Sequence, residues 1–318
     1  MKVSVIIPCL NEGNFIGGCL GSIVMNSYQD KEVLVIDGMS TDDTKELVNW
    51  YSRKYPYIHL INNPQKTAPI ALNIGIKEAK GDIIIRMDAH ATYDKDYISE
   101  CVRLLETTDA QNVGGMQSAV GLSYMGEAIA IAMTTPFGVG NSYFRYGKEA
   151  RYVDTVYLGA WKKSTLEMLG GFNEEWIVNQ DYELNYRLRK KGGKILFSPS
   201  IKCQYYVRSS LRKLAKQYFR YGFWKVKTIK AHPKSLVLRQ LVPPVFVSAC
   251  LLSLALLPFI GRCGTAIPLL YTLLNIGASV ITAKKRGLKY LPILPLVFTA
   301  LHFSWGIGFI SGTRRLSG

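Results

Sequence analysis

A chain of 318 residues is long enough for one large domain or two small ones, and its net charge of +16 is unevenly spread. All 23 acids and only 16 of the 39 Lys and Arg lie in the first 183 residues; the remainder carries 23 basic residues and no acid. A basic surface takes nucleic acid or anionic lipid, and the apolar runs in the basic part decide for lipid, which excludes nucleic acid as a partner. The six cysteines are scattered without a C-x-x-C pair, which excludes a disulfide framework or a zinc ribbon. Met1 leads directly into an apolar strand pattern, so no cleavable signal peptide is expected and a cytosolic catalytic face is the simplest reading.

Residues 3–7 form an apolar run stopped by Pro8, which reads as a buried strand with a turn at 8–12 beyond its C-terminal end. A helical stretch follows at 13–26, then a second buried strand at 32–36. That strand runs into Asp37-Gly38-Met39-Ser40-Thr41-Asp42-Asp43-Thr44, where Ser40 or Thr41 is expected to cap the next helix. Residues 58–61 read as a third strand, and Pro69 starts a helix that reaches Ala79. After a Gly81-Asp82 turn, three consecutive isoleucines mark a fourth buried strand at 83–87. Apolar strands alternating with helices mean a parallel sheet covered on both faces. Such sheets bind ligands beyond the C-terminal ends of their strands, where residues 8–12, Asp37 and 88–90 converge.

Asp88 and His90 flank Ala89, and alternation along extended backbone points both the same way. A carboxylate and an imidazole make half of a divalent-metal site; oxygen suits Mg²⁺ or Mn²⁺, and the imidazole favours Mn²⁺. The alternative is that Asp88 caps a turn and His90 is an ordinary surface histidine. No G-x-G-x-x-G follows the first strand and no G-x-x-x-x-G-K-[ST] occurs, so dinucleotide and P-loop readings lose support. Asp37 suits hydrogen-bond donors such as a uracil imide or ribose hydroxyls. Like charges repel, so a diphosphate needs a cation between it and these carboxylates. A divalent ion at Asp88 and His90 would supply one, and Lys66 and Arg86 would add positive charge unless they are solvated surface residues.

Val5-Ile6-Ile7-Pro8-Cys9-Leu10-Asn11-Glu12, Ile36-Asp37-Gly38-Met39-Ser40-Thr41-Asp42, Ala71-Leu72-Asn73-Ile74-Gly75 and Asp88-Ala89-His90 together resemble the family 2 glycosyltransferases. The Asp-Ala-His variant looks most like the branch that builds succinoglycan-type exopolysaccharide on a polyprenyl diphosphate carrier. The resemblance runs to about residue 230 and implies an α/β fold of the GT-A type, Rossmann-like, with a mostly parallel sheet and flanking helices. It implies a nucleoside-diphosphate sugar held by Pro8, Asn11, Glu12, Asp37, Lys66 and Asp88, with Glu12 and Asp37 on the nucleoside. Asp88 would lie by the diphosphate and its metal, and the second aspartate of the family's Asp-x-Asp motif is His90 here.

Further along, 94–107 reads as a helix and 112–119 as a strand. Residues 121–140 are apolar but broken by Glu127, Pro136 and several glycines, and read as core or as a surface-lying helix. A strand at 153–158 precedes Gly159-Ala160-Trp161. In the family this position faces the transferred sugar and the acceptor; otherwise Trp161 is a packing aromatic. Asn179 is expected to cap a helix whose Leu184 and Leu188 face the core, which puts Asp181 in the first turn, where the helix N-terminus favours an ionised carboxylate. Resemblance makes Asp181 the catalytic base, with Gln180 before it in place of the family's acid; Glu183 is a weaker candidate. The reaction implied is a single inverting displacement at the anomeric carbon, the acceptor hydroxyl losing its proton to Asp181.

After a last strand at 194–197, residues 211–225 mix basic and aromatic side chains, with Leu211, Leu214, Tyr218 and Tyr221 at helical spacing. This pattern fits an amphipathic helix on an anionic membrane surface. Gln217, Arg220 and Trp224 resemble the family's Gln-x-x-Arg-Trp motif, with a displaced tryptophan, and the resemblance puts them near the donor diphosphate and the acceptor. Three apolar stretches follow, 241–260, 265–283 and 288–311, each about long enough for a ~30 Å hydrocarbon core. Lys284-Lys285-Arg286 is expected on the cytosolic side. A third crossing would then put Arg314-Arg315 outside, against the same rule, unless that segment is re-entrant. The expected division is a catalytic domain at 1–207, an interfacial region at 208–239 and a membrane domain at 240–318. The expected activity is transfer from a nucleoside-diphosphate sugar, UDP favoured, to a polyprenyl-diphosphate-linked saccharide. Its rivals are transfer to polyprenyl phosphate and a non-catalytic nucleotide-sugar-binding scaffold.

Overall fold

A computed structural model describes residues 1–140 and 142–315, apart from the Arg239 side chain. The strands are β1 (Val3–Cys9), β2 (Lys31–Asp37), β3 (Ile58–Asn62), β4 (Ile83–Arg86), β5 (Ala91–Tyr93), β6 (Asn112–Val120), β7 (Arg151–Tyr152), β8 (Tyr157–Lys162) and β9 (Ile195–Tyr206). The helices are α1 (Gly13–Val24), α2 (Thr44–Lys54), α3 (Ala68–Glu78), α4 (Tyr97–Thr107), α5 (Tyr124–Met133), α6 (Pro136–Val139), α7 (Lys163–Leu169), α8 (Gln180–Lys190), α9 (Leu211–Ala231), α10 (Val242–Ala255), α11 (Leu257–Ile260), α12 (Ala266–Arg286) and α13 (Leu294–Arg315).

The strands form one sheet in the order β3-β2-β1-β4-β8-β6-β9-β5, with β7 on β9. β1 to β4 pair in parallel; β8 runs antiparallel to β4 and β6, as β5 and β7 do to β9. β1 and β2 are buried almost throughout, and their Val and Ile side chains fill both faces, as a sheet covered on both sides requires. Val3, Val5 and Ile7 join a core with Ile16, Cys19, Leu20 and Ile23 of α1. Ile6 points to the other face, where Gly75 lets α3 approach: a Cβ on Gly75 would lie 2.4 Å from Ile6 Cγ2. The register pairs Cys9 with Asp37 and Asp37 with Asn62, so the parallel strands end together at one edge of the sheet.

Three local expectations are corrected. The strand expected at 153–158 is β8, shifted to Tyr157–Lys162, because pairing with β4 begins at Gly159 opposite Arg86 and draws Ala160 and Trp161 into the sheet. Asp43, rather than Ser40 or Thr41, precedes α2, since Ser40 is turned back onto Asp37. Asn179 precedes α8 in a left-handed conformation, φ 65°, and makes no side-chain cap to it.

The chain divides into two compact units, Met1–Ser118 with Tyr146–Tyr205, and Ala119–Arg145 with the residues from Tyr206 onward. Residues 119–145, inside the expected 1–207 segment, thus group with the C-terminal helices. In the second unit, Tyr290 donates to Glu127 Oε2 at 2.7 Å, and His302 Nε2 lies 2.7 Å from the Phe137 carbonyl oxygen. Ser210 caps α9, its hydroxyl accepting from Lys213 N–H at 3.3 Å. α9 and α13 run side by side in the same direction. A Cβ on Gly308 would lie 2.1 Å from the Phe219 carbonyl oxygen, and one on Gly312 2.7 Å from that of Phe223. Such small residues let helix backbones meet.

Two stretches of the described residues, Leu257–Arg286 and Leu294–Arg315, are long and apolar enough to cross a membrane, and Val242–Ala255 is a shorter apolar helix. Between α11 and α12 the chain reverses, with Ser253 Oγ donating to the Gly264 carbonyl at 2.6 Å. α12 exposes Leu270, Leu273 and Leu274, each more than half accessible, whereas α13 is covered on most of its surface.

Candidate active site

The loops after β1 and β2 are stitched together by their own polar residues. Asn11, at φ 55°, receives Thr41 N–H on its side-chain oxygen at 2.9 Å and donates its own N–H to Ser40 Oγ at 2.8 Å. Glu12 N–H donates to Thr44 Oγ1 at 2.8 Å, and Asp42 accepts the N–H of Gly13 at 3.0 Å. Beneath this loop pair Asp37 is fully buried. It accepts both the N–H and the hydroxyl of Ser40, and Lys45 Nζ lies 3.5 Å away. Asp37, expected on the nucleoside, is therefore the internal anchor of the β2–α2 loop. Lys66 sits exposed at φ 61° in a turn hung on Asn63, whose N–H donates to the Asp37 carbonyl at 2.7 Å.

The end of β4 carries the densest charge. Alternation persists past the strand, with Met87 and Ala89 buried and Asp88 and His90 partly accessible. Tyr93 fixes the Asp88 backbone: its hydroxyl accepts Asp88 N–H at 2.6 Å and donates to the Asp88 carbonyl at 3.0 Å. The Asp88 carboxylate receives Arg86 on Oδ1 at 3.1 Å and the Tyr157 hydroxyl on Oδ2 at 3.0 Å. Arg86 is buried, and its other terminal nitrogen donates to Asp181 Oδ1 in the first turn of α8. One guanidinium thus joins a carboxylate from β4 to a carboxylate from α8, 95 residues apart in sequence from Arg86. The expectation of a solvated Arg86 is corrected by these contacts.

Burial raises the Asp181 pKa above the ordinary carboxylate value, opposed by Arg86 and reinforced by the charge on Asp88. Burial also pushes on Asp88, but there Arg86 and then His90 outweigh it and hold the carboxyl below its ordinary value. The two carboxylates are pushed in opposite directions, Asp88 below and Asp181 above the ordinary carboxylate value, which is the pattern of a divided acid–base site.

His90 Nδ1 lies 3.0 Å from Glu12 Oε1, and its ring meets Tyr205 edge-on at 5.3 Å. Glu12, expected on the nucleoside, is thus the partner of His90. A carboxylate behind an imidazole is the usual support of a metal-binding histidine. Among the described residues no three His, Cys, Asp or Glu side chains converge as a complete cage. Asp88 with His90 nevertheless fits Mg²⁺ or Mn²⁺, which take one or two protein ligands and complete their shell with phosphate and water. Each Asp88 oxygen accepts one hydrogen bond and keeps a lone pair.

The remaining sequence candidates have the following contacts. Trp161 is 1% exposed, in edge-on contact with Phe172 at 6.2 Å, so it is the packing aromatic and does not face a ligand. Glu183 is buried against Arg187, 2.7 Å from its Nε, and Arg187 also donates to the carbonyls of Leu169 and Gly171; this pair ties α8 to the loop after α7. Gln217, Arg220 and Trp224 share one face of α9 in the second unit, where Gln217 donates to the Tyr221 hydroxyl at 2.9 Å and Lys227 lies over the Trp224 ring at 5.6 Å. Tyr93 and Tyr157 were not singled out in the sequence, and Arg86 was offered there only as added positive charge for the diphosphate, not as a bridge between two carboxylates. An arginine closing a run of isoleucines was the available signal, because a buried arginine demands paired acids.

A family model described as Glycosyl transferase family 2 matches residues 4–148. Succinoglycan biosynthesis protein ExoA of Rhizobium meliloti (strain 1021) is 30% identical over 311 residues, 96% of this chain and 93% of that protein. A Methanococcus voltae protein, dolichyl N-acetyl-alpha-D-glucosaminyl phosphate 3-beta-D-2,3-diacetamido-2,3-dideoxy-beta-D-glucuronosyltransferase, is 31% identical over 232 residues, 69% of this chain and 71% of that protein. Among solved structures, mannosyltransferase PcManGT from Pyrobaculum calidifontis in complex with GDP-Man and Mn²⁺ matches with a TM-score of 0.65 at 20% identity, over 96% of this chain and 86% of that one.

Proposed function

This chain belongs to the family 2 glycosyltransferases, with their GT-A fold, and on that premise we propose that it is an inverting, metal-dependent hexosyltransferase of surface-polysaccharide synthesis. It moves a sugar from a nucleoside diphosphate, UDP favoured, to a saccharide carried on a polyprenyl diphosphate. The observation that carries this reading is the Asp88–Arg86–Asp181 bridge, which links a donor-side carboxylate to a carboxylate with a raised pKa. The names of the succinoglycan and dolichyl-sugar relatives support a lipid-linked acceptor.

In this reading the nucleoside lies over Pro8, Asn11 and Lys66, on the loop that Asp37 anchors from below, and Glu12 steadies His90. Asp88 and His90 would hold the divalent ion, Mn²⁺ preferred, which supplies positive charge to the departing diphosphate. Asp181 takes the proton from the acceptor hydroxyl as that oxygen attacks the anomeric carbon opposite the leaving group. A single displacement inverts the anomeric configuration and needs no covalent intermediate. Gln217 and Arg220, with Trp224 on the same face of α9, are assigned to the diphosphate and acceptor.

The membrane reading follows from the second unit. α12 presents leucines outward, and it forms a hairpin with α10 and α11. We assign this hairpin to the bilayer. α13 lies along basic α9 with backbones in contact, so it shares the depth of α9 at an anionic surface. Lys284-Lys285-Arg286, Arg314-Arg315 and α9 then all sit on one side, the cytosolic one, as the distribution of basic residues requires.

The test is nucleotide release by the full-length protein in detergent or lipid, with a panel of UDP- and GDP-sugars, Mn²⁺, Mg²⁺ or EDTA, and a polyprenyl-diphosphate-linked sugar present or absent. Release from one donor should require the acceptor, a divalent ion, Asp88 and Asp181, with EDTA, Asp88→Ala and Asp181→Asn each lowering the rate by about 100-fold or more. Nucleotide binding without turnover across the panel would favour a scaffold; no nucleotide binding would refute the reading.

A further inference from the structure

Arg86 takes no step in the reaction as set out above, yet it is buried at the end of β4 with a carboxylate on each terminal nitrogen. It closes β4, pairs in register with Ile6 on one side and Gly159 on the other, and its side chain is 7% exposed. Each terminal nitrogen serves a different carboxylate, Asp181 from one and Asp88 from the other. A planar guanidinium fixes the spacing and tilt of two such acceptors, which a lysine ammonium does not. Among the described residues Asp181 Oδ2 accepts no hydrogen bond, and the Asp181 side chain keeps 27% of its surface accessible. The bridge therefore engages one oxygen of this carboxylate, and the second is left without a hydrogen bond among the described residues.

We propose that Arg86 is the positioning residue of the transfer: it holds Asp181 by one oxygen so that the other meets the acceptor hydroxyl, and it ties that orientation to Asp88 at the donor. The inference rests on the proposed function, because it takes Asp181 as the base. It predicts that damage to Arg86 falls on turnover through Asp181 and spares donor binding. A purely structural ion triad would instead lose stability and donor binding together, and a purely electrostatic role would be met by lysine.

The experiment compares wild type, Arg86→Lys, Asp181→Asn and the double variant as full-length proteins. Binding of UDP and GDP with Mn²⁺ is measured by titration calorimetry, and kcat and donor KM from nucleotide release with the donor that wild type uses. Arg86→Lys should keep nucleotide affinity and donor KM within about threefold and lose about 100-fold in kcat; on the Asp181→Asn background it should cost less than about threefold more. The proposal is overturned if Arg86→Lys keeps kcat within about threefold of wild type, if its loss persists undiminished on Asp181→Asn, or if nucleotide affinity falls in step with kcat. Should Arg86→Lys melt early, Arg86→Gln takes its place under the same split, and early melting of both assigns Arg86 a structural role and overturns the proposal. Wild type that releases no nucleotide refutes the proposed function itself, whereas an active wild type with an inactive Asp181→Asn and an unimpaired Arg86→Lys refutes only this inference.

Discussion

Tyr93→Phe removes one oxygen and tests how the Asp88 backbone is held. The ring is buried and packs edge-on against Tyr97 at 4.9 Å, so phenylalanine keeps the packing. What goes is the hydroxyl that accepts Asp88 N–H at 2.6 Å and donates to the Asp88 carbonyl at 3.0 Å. The carbonyl retains the Cys19 thiol at 3.6 Å, while the N–H loses the partner it has here. An orphaned buried donor costs about 1–3 kcal/mol, against about 1 kcal/mol for a lost neutral hydrogen bond alone, so the substitution should fall in the upper part of that range, roughly 2–3 kcal/mol. Tyr51→Phe, which removes a single part-buried bond to the Gly17 carbonyl at 2.9 Å, is the comparator and should cost about 1 kcal/mol. At about 2–4 °C per kcal/mol for a unit of this size, Tyr93→Phe should lower the melting temperature by roughly 4–12 °C and Tyr51→Phe by roughly 2–4 °C. Intrinsic-fluorescence melting of the full-length protein in one detergent reads both. The reasoning fails if Tyr93→Phe melts no earlier than Tyr51→Phe, and nucleotide release should fall with the loosened Asp88 turn.

The pH profile of kcat should show an acid limb with its midpoint above the ordinary aspartate value, since protonation of Asp181 removes the base and burial raises its pKa. A limb at or below pH 4 would contradict this assignment. Gly308→Val should break the α9–α13 contact, because even a Cβ would stand 2.1 Å from the Phe219 carbonyl oxygen, and its effect should appear as early melting and protease cleavage in the second unit. Cys263 is the one exposed cysteine among the described residues, and it sits in the turn between α11 and α12. In right-side-out vesicles an impermeant maleimide should label it without permeabilisation, whereas Ser311→Cys near the end of α13 should label only after it; equal protection of both would refute the hairpin assignment.

The parallel half of the sheet was legible because β1, β2 and β4 are short runs rich in Val and Ile that both faces bury, while β3 at the edge is only partly covered. Gly75 and Asn73 illustrate a limit of motif reading. They belong to the stretch that carries the family resemblance, yet Gly75 makes room for Ile6, and Asn73 exchanges hydrogen bonds with Phe172, N–H to Oδ1 at 2.8 Å and Nδ2 to the carbonyl at 2.9 Å. Asp37 is a similar case, a recognisable residue whose contacts are all internal. Asp88, His90 and Asp181 were legible as chemistry, but nothing local shows that Arg86 joins two of them, because that contact depends on α8 returning to the end of β4. Trp161 was misplaced for a related reason: its burial is set by a strand pairing that starts four residues later than the apolar pattern suggests. The long apolar stretches were legible from hydropathy, while the parallel course of α9 and α13 depends on glycines whose partners lie some 90 residues away.

The exchange of an aspartate for His90 also has a consequence for charge. An Asp-x-Asp site concentrates two negative charges on one turn. Here the second acid is Glu12, from the loop after β1, and it reaches the site through the imidazole. Counting Asp88, Asp181 and Glu12 against Arg86 and His90 leaves the site net negative in either protonation state of the imidazole, and one divalent cation offsets that charge. A nucleoside diphosphate arriving without the ion would meet like charge, and the ion arriving first would leave little net field to draw the diphosphate in. Under the proposed reading the two are therefore most stable together: nucleotide should tighten Mn²⁺ binding by the same factor that Mn²⁺ tightens nucleotide, as linkage demands. Arg86→Gln adds one negative charge to the site, so it should weaken nucleotide alone more than nucleotide with the ion. A smaller metal dependence in that variant would mean that Arg86, rather than the ion, carries the diphosphate charge.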